Sequence, residues 1–478
     1  MQHPSVPAPR LVVAGLSGDS GKTLVSIGLL LLARQSGIPV KAFKKGPDYI
    51  DAAWLSWASG SPARNLDTFL MGPAKTAQLF TANTLSGGLN LIEGNRGLFD
   101  GVDAHGTHST AEMAKLLKAP VLLLVNAAKT THTIAALVLG CLKLDPEVRI
   151  GGVVFNHVAG ERHESVLRKS LESTCGVPVL GVLPNIDDPG ELLPSRHLGL
   201  VTPREHRSVE ELRAKALSAV QSRLDFDRIF ELARSSPRLP GWFENTQTIE
   251  DGRGLKIAFM QDSAFTFYYP ENLEALERSG AELISVSALS ASSLPDALDA
   301  LYIGGGFPET HAAALSANTS LLASIRDYAL KGLPIYAECG GLMLLSESIR
   351  WKGMEFPMAG ALPFDVEVCD RPQGHGYVEL LVDRPNPFYP VGMKIRGHEF
   401  HYSKIVSTGS SARTVCAVRR GTGSFEARDA VLVENIWASY THVHAEATPQ
   451  WTRGLLSSAR SWSLRRSGEQ YYRGKLAS

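Results

Sequence analysis

The chain has 478 residues, 44% hydrophobic and 20% charged. That is the balance of a globular protein, and the length asks for two domains, or three, rather than one core. Acids and bases cancel at 48 each, which excludes a global field for nucleic acid or an anionic membrane surface. Five scattered cysteines make no disulfide framework and no CxxC metal pair. The N-terminal MQHPSVPAPR lacks the basic and apolar regions of a signal peptide, and the apolar run around Leu29–Ala33 is far below membrane-spanning length. A cytoplasmic protein is expected.

In chain order, strand–helix alternation comes first. LVVAG at 11–15 reads as a buried strand and Gly21 to about Gln35 as a helix. Val40–Phe43, Leu89–Glu93, Val121–Asn126 and Gly151–Asn156 are further apolar runs of strand length, separated by segments long enough for crossover helices. This predicts a doubly wound parallel α/β sheet. The pattern breaks in SPRLPGWFENTQTIEDGRG, a linker by composition. It resumes with strands at Lys256–Met260, Glu282–Val286, Ala300–Ile303 and Pro334–Ala337, and a helix at Asn272–Ser279. The expected layout is a disordered tail at 1–9, an α/β domain at 10–235, a linker at 236–253, a second α/β domain at 254–448 and a basic tail at 449–478. In that tail Arg453, Arg460, Arg465, Arg466, Arg473 and Lys475 read as a solvated terminus.

Two stretches carry chemistry. Gly15-Leu16-Ser17-Gly18-Asp19-Ser20-Gly21-Lys22-Thr23 follows a strand and opens a helix. This is the context of a phosphate-binding loop, one residue longer than the standard Walker spacing. Its backbone N–H groups and helix N-terminus favour anions, Lys22 reaches the outer phosphates, and the Thr23 hydroxyl suits Mg2+. Phosphoryl transfer also needs acids for the metal. Asp48, just after the second strand, and Glu93, closing the third, are the candidates, with Asp51 a weaker one for substrate positioning. Asn156 ends another strand, where its amide either contacts a purine base or serves a turn.

The second stretch is PIYAECGGLMLL at 334–345, a strand, a Gly-flanked turn and a helix: the cysteine form of a nucleophile elbow. The helix N-terminus is expected to lower the Cys339 thiol pKa. Gly340 offers an N–H to an oxyanion, and Gly304-Gly305-Gly306 are candidates for a second donor. A thiol nucleophile needs a base, and His442 and His444 in SYTHVHAE both qualify. Cys141, Cys175, Cys369 and Cys416 read as packing. The pairs His105/His108 and His398/His401 lack the frame of a zinc site, and His398 and His401 either face the cysteine site or its substrate or are structural.

Taken together the motifs resemble a known family. The long GKT loop, KKGPDYIDAAW and EGNRGLFDG are similar to dethiobiotin synthetase-like ATPases, and AECGGLMLL, RGHEFHYS and SYTHVH to class I glutamine amidotransferase domains. Joined in one chain, over about residues 10–448, they resemble the corrinoid amidotransferases. The resemblance implies ATP- and glutamine-dependent amidation of the a and c acetates of cobyrinate, a step of cobalamin biosynthesis. The carboxylate would pass through an acyl phosphate, and ammonia would travel to it by an enclosed path. It implies ATP contacts from Gly18, Asp19, Ser20, Gly21, Lys22, Thr23 and Asn156, Mg2+ on Thr23, Asp48 and Glu93, Cys339 as nucleophile and His442 as base. The corrinoid tetrapyrrole, glutamine and ATP would be its partners, with no nucleic acid or membrane, and a homodimer is one possible assembly. Two departures stand out. His444-Ala445-Glu446 carries the usual His-x-Glu pattern two residues after His442, and Ala52-Ala53 replaces a usual proline. Hydrogenobyrinate and nickel-sirohydrochlorin are rival substrates, and a P-loop switch ATPase without amidation activity is the rival of another class.

Overall fold

In the computed structural model, residues 7–184, 195–196, 199–206, 208–239, 251–406 and 412–476 are described. The chain divides into two compact units, 1–245 and 246–478. The division falls inside the expected linker, most of which lies outside the described residues.

The first unit is the expected doubly wound sheet. Its strands are β1 (Arg10–Gly15), β2 (Val40–Lys45), β3 (Arg64–Leu66), β4 (Leu89–Gly97), β5 (Val121–Asn126), β6 (Ile150–Val158) and β7 (Val179–Pro184). They lie in the order β3-β2-β4-β1-β5-β6-β7 with every pairing parallel. Val12, Ile92, Leu123 and Val153 are fully buried in one apolar core, as central parallel strands covered on both faces require. Helix α1 (Lys22–Gln35) follows β1, and α2 (Tyr49–Ser59) follows β2. The connections place the carboxyl ends of β1, β2 and β4 side by side, where open α/β sheets bind ligands. The expected N-terminal tail is too long by at least two residues. Ala8 is buried, and the Pro9 carbonyl accepts from Asn90 N at 2.9 Å.

In the second unit β10 (Lys256–Met260), β11 (Glu282–Val286), β12 (Ala300–Ile303) and β13 (Ile335–Glu338) match the sequence expectation. What was not foreseen is the β-rich half that follows. A nine-stranded sheet runs β11-β10-β12-β13-β22-β21-β20-β17-β18, where β17 is Gly374–Val382, β18 Lys394–His401, β20 Arg413–Arg420, β21 Arg428–Val433 and β22 Ile436–Ser439. It is parallel from β11 to β22 and antiparallel beyond. β14 (Ser348–Trp351), β15 (Met354–Pro357), β16 (Asp365–Val368) and β19 (Ser403–Val406) form a separate four-stranded sheet in the order β15-β14-β16-β19.

The basic segment 449–478 is not a solvated tail. A helix spans Gln450–Leu476, and its Trp451, Leu455, Leu456 and Ala459 are buried in the core. Arg460 donates to the Asp251 and Arg253 carbonyls, and Arg466 pairs with Asp299 at 2.9 Å. Composition missed this because Arg453, Arg460, Arg465 and Arg466 alternate with the apolar residues that the helix buries. The contact is close at Gly454, where a β-carbon would collide with the Phe388 carbonyl oxygen. Gly454→Ala is therefore expected to cost about 1–3 kcal/mol by overpacking, although alanine is the better helix former by about 1 kcal/mol. Urea unfolding reads this, and a stabilised variant would refute the close approach. Among the described residues no helix is long and apolar enough to cross a membrane.

Candidate active sites

The loop after β1 is shaped for anions. Asp19 (φ 53°) and Gly21 (φ 89°) both take left-handed backbone conformations, and Gly21 caps α1 with no acid in the first helical turn. The first-turn N–H groups therefore keep their attraction for phosphate. Ser20 is buried, and its hydroxyl donates to the Ser17 carbonyl at 3.0 Å. Lys22 Nζ rests on that same carbonyl at 3.3 Å, and burial together with the neighbouring Lys44 lowers its pKa. Gly18 is open to its surroundings.

Thr23 Oγ1 donates to Glu93 Oε1 at 3.2 Å, which joins two of the three residues expected to hold Mg2+. At the centre of the acids, however, stands Lys44. Parallel pairing sets Lys44 of β2 opposite Glu93 of β4. Its ammonium, 2% exposed, lies 2.6 Å from Asp51, 2.7 Å from Glu93 and 4.0 Å from Asp48. Burial works against the Lys44 charge, but Asp51, Glu93 and Asp48 outweigh it and hold its pKa above the ordinary value. Asp48 is pushed up to about 7 by burial and by the Asp51 carboxylate. Its Oδ1 caps α2, accepting from Ile50 N and Asp51 N at 2.9 Å each, so one oxygen is committed.

Three carboxylates against one ammonium leave negative charge, and Glu93 Oε2 is buried with no hydrogen-bond partner. This donor set fits a hard cation beside phosphate oxygens. Among the described residues no three acidic, histidine or cysteine side chains surround one point as a self-sufficient metal cage. Mg2+ taken largely through phosphates and water needs none. Lys44 was missed because a strand-end lysine looks solvated in sequence; its register opposite Glu93 was the signal. Asn156 is 5% exposed, with Nδ2 donating to Ser20 O at 3.2 Å and Oδ1 accepting from His157 N at 2.9 Å. In this arrangement it supports the phosphate loop.

In the second unit Cys339 follows β13 with φ 48° and ψ −99°, a strained conformation that lifts the residue at a sharp strand-to-helix turn. Cys339 N donates to Ser439 O of β22 at 2.8 Å. A β-carbon on Gly340 would lie 3.0 Å from Gly306 N, so the Gly340 and Gly306 backbones run side by side. Paired N–H donors in such a place suit a developing oxyanion. The expected lowering of the thiol pKa is not found. Burial raises it, and Glu309 raises it further, outweighing the single Gly340 N–H that favours the thiolate. The helix beyond has only six residues, Gly340–Leu345.

His442 belongs to this cluster and His444 does not. A β-carbon on Gly305 would come 2.6 Å from His442 Cε1 and 3.4 Å from Nε2, so the imidazole and the elbow flank the same Gly305–Gly306 segment. His442 and His398 exchange backbone hydrogen bonds at 2.9 and 3.2 Å, and their rings stack 4.9 Å apart. His444 lies in the core instead, its Nε2 3.5 Å from Glu271 and its ring tilted on Tyr269 at 4.4 Å. Of the second histidine pair, His398 adjoins the site. Burial, then His442 and His444, hold its pKa well below the usual value. His401 is buried against Tyr440, and its Nδ1 donates to the Ser403 carbonyl at 2.7 Å.

A phosphate-binding loop with a carboxylate cluster, carried on the same chain as a cysteine elbow with a nearby imidazole, defines a nucleotide-binding amidotransferase. Comparison with known proteins agrees. Residues 11–196 match the family model described as the CobQ/CobB/MinD/ParA nucleotide binding domain, and 256–450 the CobB/CobQ-like glutamine amidotransferase domain. A cobyrinate a,c-diamide synthase of Magnetococcus marinus is 40% identical over 467 residues, covering 97% of this chain and 99% of the relative. Those of Archaeoglobus fulgidus (41% over 437 residues; 91% and 94%) and Syntrophotalea carbinolica (40% over 460; 95% and 99%) are similar in extent. The chain belongs to the cobyrinate a,c-diamide synthase family.

Proposed function

We propose that the protein amidates the a and c acetate carboxylates of cobyrinate, using ATP and glutamine. The observation that carries this reading is the Cys339 elbow flanked by Gly306 and His442. A switch ATPase has no use for such a nucleophile. The family relationship supports the choice of substrate.

At the first site Lys22 and the loop N–H groups hold the ATP phosphates, and Asn156 keeps the loop in shape. Thr23, Glu93 and the Oδ2 of Asp48 would hold Mg2+, which when bound offsets phosphate charge. Transfer of the γ-phosphoryl group makes the acetate an acyl phosphate; the protein's part is positioning and charge stabilisation. At the second site the thiol proton passes to His442 as Sγ attacks the glutamine amide carbon. The Gly340 and Gly306 N–H groups steady the oxyanion. His442 returns the proton to the leaving ammonia, and water then releases glutamate from the thioester. The ammonia displaces phosphate to leave the amide.

The test is amide counting by mass spectrometry, with ADP release, on purified protein given glutamine, ATP and either cobyrinate, hydrogenobyrinate or nickel-sirohydrochlorin. Two amides on cobyrinate are expected. Amides on another macrocycle alone would reassign the substrate, and ATP hydrolysis with none on any would favour the switch ATPase.

A further inference from the structure

Class I glutaminases orient their histidine with a carboxylate two residues along, as the sequence resemblance implied. Here the residue two after His442 is His444, which is occupied with Glu271 at 3.5 Å. The next acid, Glu446, accepts from Arg278 at 2.7 Å at the protein surface. Neither supplies a carboxylate to His442.

Another acid is close. Glu338, the residue directly before the nucleophile, ends β13 and is completely buried. Its Oε1 accepts from Val443 N at 3.0 Å, and its Oε2 from the Tyr302 hydroxyl at 3.1 Å. That same Oε2 stands 3.6 Å from His442 Nδ1. The distance exceeds a hydrogen bond by about half an ångström, as catalytic contacts in ligand-free sites commonly do. Both partners are fixed. Glu338 sits opposite Ser439 in the β13–β22 register. The turn from Ser439 to His442 is clamped by buried Asp429, which accepts from Tyr440 N, Thr441 N and Thr441 Oγ1.

We propose that Glu338 is the positioning carboxylate of the glutaminase site, orienting His442 through Nδ1 so that Nε2 is left as the base for Cys339. The proposal rests on the glutaminase reading of Cys339. One strand end then delivers both the nucleophile and the group that aligns its base, and the Gly305–Gly306 segment lies beside both the elbow and the ring. Among the described residues, Glu338 from β13 and His398 from β18 are titratable side chains beside the imidazole. Glu309 and Asp429 act on the nearby thiol. Burial keeps His398 neutral, so Glu338 is the charge facing the ring.

The experiment compares Glu338→Gln with Glu446→Ala in the full-length protein, in glutamine-supported and ammonia-supported amidation. Glu338→Gln is expected to lose about 10²-fold or more in glutamine kcat/KM, as loss of a triad carboxylate does. Its ammonia-supported rate stays within about threefold of wild type. Glu446→Ala changes neither. A merely structural role for Glu338 would lower both reactions alike, and that overturns the proposal. Imidazole nitrogen NMR of the wild type needs no variant: His442 is expected to carry its neutral-state proton on Nδ1, and a proton on Nε2 would refute the orientation. If wild type itself fails to use glutamine, it is the glutaminase reading that falls.

Discussion

Cys339→Ser is expected to abolish glutamine-supported amide formation, by about four orders of magnitude or more, while ammonia-supported formation survives. The size follows from losing the only atom placed to form the thioester. A serine hydroxyl at the same elbow has a far higher pKa, and the surroundings do nothing to lower it: burial and Glu309 already push the Cys339 thiol up. The wild-type thiol therefore rests protonated near neutral pH. It becomes nucleophilic only as His442 takes its proton, so glutamine must arrive before the thiolate is useful. In the same way iodoacetamide should alkylate resting Cys339 more slowly than an exposed thiol. The measurement is amide formation with each nitrogen source in parallel. Equal loss of both would mean that the elbow serves folding, and retained glutamine use would remove Cys339 from the chemistry.

The parts of this protein written in local sequence were the ones read in advance. β1, β5, β10 to β12 and the two turn-forming motifs depend on short apolar runs and glycine spacing. β17 to β22 were invisible for a physical reason. Their core face is supplied by residues such as Val378, Leu380 and Ile395, interleaved with charges on antiparallel strands, and pairing partners lie far along the chain. The terminal helix was misread because its basic residues outnumber the apolar stripe of Trp451, Leu455 and Leu456. Among site residues, Cys339, Lys22 and Thr23 announce themselves by motif. Lys44 and Glu338 do not, since each gains its meaning from a neighbouring strand: Lys44 from Glu93, and Glu338 from the turn after β22. The resemblance chose His442 over His444 against the His-x-Glu pattern, and in three dimensions the two meet different carboxylates, Glu338 and Glu271.

Lys44→Met is expected to destabilise the first unit by about 3–5 kcal/mol near pH 8, the usual cost of removing one member of a buried ionic group. Methionine fills the space of the aliphatic stem but leaves Asp51 and Glu93, 2.6 and 2.7 Å from the ammonium, facing each other without a counter-ion. The Gly94 carbonyl, at 3.2 Å, loses its donor as well. In the wild type Asp51 is held below its ordinary pKa: burial opposes this, and Lys44 overcomes it. Burial already holds Asp48 and Glu93 above their ordinary values beside Lys44, and without Lys44 all three carboxylates rise further. A raised acid costs stability above its folded pKa and recovers it on protonation below. The deficit should therefore be largest at pH 8 and shrink towards pH 5. Saturating Mg2+ offers a replacement cation, and a ligand at 100 times its Kd returns about 2.7 kcal/mol. Hydrogen exchange of the β1, β2 and β4 amides follows this unit without interference from the other. A loss below about 1 kcal/mol at pH 8 would show that the acids do not depend on Lys44. A deficit that is the same at pH 8 and pH 5 would show that the acids are already protonated in the native protein. Partial rescue by Mg2+ would mean that the lysine occupies, in the resting protein, charge space that the metal and the ATP phosphates share during turnover.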